Sequence, residues 1–284
     1  MKLMNKQAVI LISLLLVSPI FAAADQVMIV PRSIGQGKTL EIRLNQAAAG
    51  VKISGTFIGQ KIGFFQGDDY YRGFVGIPLE QKPGKYPLNL TIDGSDGSKK
   101  TIKKTVIIAK GKFPVVSFWL KPAKNKLRSR ELINNEWADV EKVLVVKEPV
   151  QRWRGKFSMP VEGETSMVFG VIQRVNGKPS GRHRGYDIAV PQGTTVYAPN
   201  AGKVVYTGRL KAFGNTIVVD HGLGVQTLYF HLSKFLVEVG QLVSRGDKLA
   251  LSGNTGISSG AHLHWGMSVN NLRVDPIQWV KMEM

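Results

Sequence analysis

Apolar and polar positions follow a period of two along most of this chain and a period near that of a helix in one stretch. In 39–45, Leu40, Ile42 and Leu44 alternate with polar neighbours, which predicts a strand with one face buried. Further strands are expected over 51–57, 70–77, 86–93 and 101–108. Turn sequences separate them: Gly35-Gln36-Gly37, Gly67-Asp68-Asp69, Lys82-Pro83-Gly84 and Asp93-Gly94-Ser95-Asp96-Gly97. Short strands at this spacing predict a small immunoglobulin-like β-sandwich over 25–110. Residues 111–157 read as a basic connector. There Leu132, Ile133, Trp137, Val140 and Leu144 make a helical stripe, so one helix is expected from Ser129 to about Leu144, docked on a neighbouring domain. From Phe157 onward the β pattern returns, with strands expected over 195–198, 202–210, 215–221, 225–232, 248–252 and 262–269. Gly222 and Gly224 mark a hairpin turn. The fold class expected is all-β with a single connector helix.

Composition narrows the setting. The 284 residues suffice for two domains, and 43% hydrophobic with 20% charged residues is ordinary for packed globular cores. Residues 1–24 read as a secretory signal: Lys2 and Lys6 precede an apolar run over 8–21, and Ala22-Ala23-Ala24 offers a small-residue cleavage site before Asp25. The chain has no cysteine, so neither disulfides nor the lipid anchor of a bacterial lipoprotein is expected. Net charge is +18, and +16 remains once Lys2 and Lys6 leave with the signal. Such a charge implies a polyanionic partner. Export argues against nucleic acid and for an anionic cell-envelope polymer or membrane surface. The densest basic run is Lys121, Lys124, Lys126, Arg128 and Arg130, in the connector, where it is either a solvated face or a wall-binding one.

The candidate chemistry is confined to the C-terminal half. All five histidines lie between His183 and His264. His183-Arg184-Gly185-Tyr186-Asp187 sets a carboxylate four residues after an imidazole, on a helix face or in a loop entering a strand. His262-Leu263-His264 on a strand points two imidazoles to one face and Leu263 to the other. His231 stands alone in Leu228-Tyr229-Phe230-His231-Leu232. Imidazole and carboxylate are preferred zinc ligands, and imidazoles left over beside a metal are the usual acids and bases of hydrolysis. These residues read as a metallohydrolase.

The four segments His183-Arg184-Gly185-Tyr186-Asp187, Gly214-Asn215-Thr216-Ile217-Val218-Val219-Asp220-His221-Gly222, Leu228-Tyr229-Phe230-His231-Leu232-Ser233 and Gly260-Ala261-His262-Leu263-His264-Trp265 resemble, in order and spacing, the LytM/lysostaphin-type zinc endopeptidases of peptidoglycan. The resemblance covers roughly 155–280 and implies an antiparallel β-groove peptidase domain over 158–284. It implies one Zn2+ held by His183, Asp187 and His264, with His231 and His262 as the catalytic pair. Which of the two takes the proton is left open. It also implies a peptidoglycan peptide as substrate, D-amino-acid cross-links rather than glycine bridges. Phe169-Gly170 matches a family pair, but Ile172 stands where an arginine is usual, with Arg174 nearest. His221, beside the hairpin, reads as structural. Tyr186, Tyr229 and Trp265 either line the groove or pack in the core.

Three other classes compete, of which a periplasmic metal-storage protein would not require spare imidazoles beside the ligands. A non-catalytic wall-binding protein or hydrolase activator of the same fold would lack a ligand or an acid–base residue, and none is missing. A carrier module, suggested by 239–247, needs a lysine at a hairpin tip, and Gly222-Leu223-Gly224 offers none. No His-Glu-x-x-His helix is present.

Overall fold

The computed structural model describes residues 27–45, 51–67, 70–146 and 148–282. The proposed signal segment lies outside them. No helix among the described residues is long and apolar enough to cross a membrane.

The N-terminal strands form two sheets. One runs in the order Val27–Val30, Thr39–Asn45, Tyr70–Gly76, Phe65–Gln66. The other runs Ser33–Gly35, Lys99–Ala109, Gly84–Asp93, Lys52–Phe57, Gln60–Gly63. Leu40, Ile42 and Leu44 from the first sheet meet Leu88, Leu90 and Ile92 from the second in one buried cluster. The apolar face read in 39–45 thus packs on a facing sheet, which makes this region a β-sandwich, but the polar face expected in solvent is buried too at Thr39 and Glu41, where Trp279 and Arg72 cover and bond them.

The C-terminal half is built on an antiparallel sheet ordered Glu164–Met167, Tyr186–Ala189, His262–Val269, Val225–Leu232, Gly214–Gly222, Gly202–Leu210, Leu242–Val243, with Leu272–Val274 also paired to His262–Val269. The Gly214–Gly222 and Val225–Leu232 strands are joined through Leu223 and Gly224, both at positive φ (52° and 76°), the geometry that matches a two-residue turn to strand twist. Strand alternation divides the buried side chains between two faces. Ile217, Val219, Tyr229, Leu263 and Trp265 point to one side and pack with Val196, Leu249 and Ala250 from a small second sheet. Val218, Leu228 and Phe230 point to the other side, the side that carries His264.

The connector lies on that second side. It holds two helices where one was expected, a short one over Pro122–Lys126 started by Pro122 and a longer one, Arg130–Leu144, which starts with Ser129 accepting a hydrogen bond from the Leu132 amide at 3.1 Å and so satisfies one free N–H of the first turn. Val140 and Leu144 seat on Val218, Leu228 and Phe230. Strand Val115–Phe118 of the connector pairs in parallel with Ile172–Val175. The sandwich is fastened elsewhere. Phe74 meets Trp153 and Trp279 with ring centroids 5.8 and 5.7 Å apart. Gln278 exchanges hydrogen bonds with the Thr39 amide and carbonyl at 2.7 and 2.8 Å.

Candidate active site

Three of the predicted residues converge through strand register. Asp187 and His264 are direct partners on adjacent antiparallel strands. His262 and His264, two apart, share the groove face, as alternation demands. His183 sits just ahead of strand Tyr186–Ala189, so its segment is a loop entering a strand and not a helix. Gly185 permits the close approach: a Cβ there would stand 2.3 Å from His264 Nε2.

The atoms that meet are a nitrogen, an oxygen and a nitrogen. Asp187 Oδ1 lies 3.0 Å from His183 Nε2 and 2.7 Å from His264 Nδ1, and the two nitrogens are 3.0 Å apart. Zinc bonds of about 2.0–2.1 Å to such donors need lone pairs on one side and separations of roughly 3 Å. The tautomer of His183 meets this requirement, because its Nδ1–H donates to the Val168 carbonyl at 2.9 Å and leaves Nε2 unprotonated toward the centre. Burial pulls the His264 pKa down to about 4, against the opposing carboxylate of Asp187, so the ring is neutral. Burial pushes the Asp187 carboxyl up, but the charges and hydrogen bonds of His264 and His183 hold it well below the ordinary carboxylate range. Two inward-facing imidazole nitrogens and an ionised carboxylate form the donor set a divalent cation takes, and the residues fit zinc.

The other two predicted histidines stand beside this trio. The His231 and His262 ring centroids are 4.9 Å apart, and His231 lies 6.0 Å from His264. His262 Nε2 is 3.9 Å from Asp187 Oδ2. Each ring donates its Nδ1–H to a carbonyl, His231 to Thr255 at 2.8 Å and His262 to Gly260 at 2.9 Å, so both Nε2 atoms carry lone pairs. Burial, followed by the neighbouring His262 and His264, holds the His231 pKa well below the ordinary histidine value. His231 adopts φ 62°, a left-handed conformation costing about 1–3 kcal/mol, which local packing sustains where it aims a ring.

His221 takes no part. It is fully buried, bonded to the Ala201 carbonyl at 2.7 Å and Thr227 Oγ1 at 2.8 Å. Tyr229 and Trp265 belong to the core on the far side of the sheet, because their strand parity is opposite to that of Phe230 and His264. Tyr186 is half-buried and bonded to Thr165.

The trio opens into a groove of about 770 Å³. Connector residues Phe118, Leu120, Arg128, Ile133 and Trp137 form one wall, together with Phe213, Phe230, Arg182 and Arg273. The helix stripe therefore does two jobs: Val140 and Leu144 dock, while Ile133 and Trp137 face the groove. Arg174 is exposed and does not line it. Lys124 donates to the Asn254 and Gly256 carbonyls at 2.7 and 2.8 Å, bracketing the Thr255 carbonyl that orients His231. Trp137, Lys124 and Arg273 carried no sequence signal beyond an apolar stripe and a charge run, since their partners are distant in the chain.

Residues 181–276 match the model of peptidase family M23. An uncharacterized metalloprotease of Haemophilus influenzae is 47% identical over 98 residues, 34% of this chain and 20% of that protein. The peptidoglycan DD-endopeptidase ShyA of Vibrio cholerae is 46% identical over 96 residues, 34% of this chain and 22% of that protein. The chain thus spans about a fifth of the length of these curated relatives. A solved Pseudomonas aeruginosa structure, described as a candidate peptidase M23, is 29% identical with a TM-score of 0.64 and covers 86% of this chain and 93% of its own. That likeness extends well beyond the matched segment and takes in most of the chain.

Proposed function

We propose that this chain, a member of peptidase family M23, is an exported zinc-dependent endopeptidase that hydrolyses peptide cross-links of bacterial peptidoglycan. One observation carries the reading: His183 Nε2, Asp187 Oδ1 and His264 Nδ1 meet within 2.7–3.0 Å, beside two imidazoles whose free Nε2 atoms are set by their carbonyl partners. The organisation that accompanies it is a signal over 1–24, a sandwich domain over 25–110, a connector over 111–157 and the peptidase domain over 158–284. A D,D cross-link is favoured over a glycyl bridge, supported by the name of the Vibrio relative. The net charge of +18 favours retention on an anionic envelope.

Zinc held by His183, Asp187 and His264 would supply a Lewis acid and a bound water with a pKa near 7. The protein's own groups divide the remaining work. We assign His262 to take the proton of the attacking water, because its Nε2, left free by the Nδ1 hydrogen bond to the Gly260 carbonyl, lies 3.9 Å from Asp187 Oδ2. It then returns that proton to the leaving amine. His231, kept neutral by burial, accepts a hydrogen bond from the same water and orients it. The apolar groove wall of Phe118, Ile133 and Trp137 limits bulk water around the reacting bond.

Digestion of purified muropeptides with and without a chelator, with mass identification of the products, tests this reading. A chelator-sensitive cut at a D,D bond is expected. A purified chain that takes up no stoichiometric zinc, or that leaves muropeptides whole when zinc-loaded, refutes it.

A further inference from the structure

Arg273 is a buried cation lining the groove, with no carboxylate paired to it among the described residues. Its side chain lies between Trp137 of the connector helix and Phe230 of the sheet, the guanidinium 5.4 and 5.6 Å from the two ring centroids. Nη2 donates to the Arg184 carbonyl at 2.6 Å, while Nε is buried without a partner. Burial and then repulsion from Arg184 bring its pKa down to about 9, and no carboxylate offsets either effect. Gly266 makes room for this group, since a Cβ there would come within 1.9 Å of Nη2. Asn271, which also lines the groove, has a buried Oδ1 without a partner while its Nδ2 is taken by Glu141 at 2.7 Å. A guanidinium is costly to bury without a carboxylate or comparable acceptor. Sandwiched between two rings, it is held rigid, with Nε left without an acceptor.

We propose that Arg273 is the carboxylate anchor of the substrate groove, recognising a free carboxylate on the peptide beside the bond to be cut, with Asn271 Oδ1 accepting a peptide N–H of the same ligand. The inference rests on the endopeptidase reading for the nature of the ligand. It makes Arg273 a specificity-determining residue, remote from the His183–Asp187–His264 trio in role but sharing its cavity.

The test uses the zinc-loaded full chain and two cross-linked peptides that differ only in a free carboxylate or a carboxamide next to the scissile bond. The unaltered protein should favour the carboxylate peptide about ten- to a hundredfold in kcat/KM, the range of a charge-assisted hydrogen bond. Arg273→Gln should bring that ratio to about one while retaining zinc and acting on the carboxamide peptide within a few-fold of the parent. Arg273→Lys should keep part of the preference. Calorimetric titration with N-acetyl-D-alanine and its amide gives a readout independent of turnover: only the acid should bind, and Arg273→Gln should weaken it. Equal use of both peptides by the unaltered protein overturns the proposal without any variant. So does a variant that loses zinc or slows both peptides alike, which would make Arg273 only a brace for the Arg184 loop. Should neither peptide be cut while the acid still binds through Arg273, the endopeptidase reading falls and the anchor stands.

Discussion

Acid should weaken the catalytic sheet through His221. This ring is completely buried, set edge-on to Phe157 at 4.9 Å, donating Nδ1–H to Ala201 and accepting at Nε2 from Thr227, whose hydroxyl also bonds Tyr229 at 2.9 Å. Burial is the largest influence and outweighs the Ala201 hydrogen bond, taking the pKa from 6.5 to about 4. Between those values the unfolded chain binds a proton that the folded chain refuses. The contribution of His221 to stability is therefore complete above pH ~6.5 and declines as pH falls toward 4. At about 1.4 kcal/mol per pH unit the loss is about 3 kcal/mol, a large share of a typical stability of roughly 5–15 kcal/mol. The perturbation is His221→Asn, which keeps a donor for Ala201 and removes the titrating group. Urea unfolding of both proteins at pH 7, 6, 5 and 4 in chelator makes the metal-ligand residues titrate alike and cancel in the difference. The advantage of the parent over the variant should shrink by about 3 kcal/mol from pH 7 to pH 4. A difference that stays level across that range would show that burial does not hold the ring neutral.

Other expectations concern the centre and its supports. Asp187→Ala and His264→Ala should each remove bound zinc and activity together, read by metal analysis and peptide cleavage. His231→Ala should abolish cleavage while zinc stays at one per chain; loss of zinc would move His231 into the ligand set. Lys124→Met should lower kcat about tenfold with zinc and KM little changed, because the Asn254 and Gly256 carbonyls that frame Thr255 lose their shared donor. An unchanged kcat would show that the loop holds Thr255 unaided.

Much of this protein was legible from local pattern, and the reason is periodicity. Alternation in 39–45 and 262–269 told which side chains share a face, the stripe from Leu132 to Leu144 predicted a helix, and the Gly222–Gly224 turn marked a hairpin because positive φ is a property of a few neighbouring residues. The five groups of the candidate centre were readable as residue types at suggestive spacings. Their meeting was not, because it depends on the pairing of Asp187 with His264 across two strands 77 residues apart. Whether Tyr229 and Trp265 faced groove or core depended on which side of that sheet the second sheet covers.

The amino-acid order alone determined a mainly β chain, a connector helix ending near Leu144 and a histidine set confined to its second half, while the short helices Pro122–Lys126 and Pro276–Lys281 were not read from it. Only the tertiary structure decided that the helix lies on the groove face, that Lys124 reaches the loop behind His231, and that Arg273 is buried with no carboxylate partner among the described residues. Those outcomes come from contacts between segments far apart in sequence. The energy of such contacts depends on what else has been brought near, which no window of neighbouring residues contains.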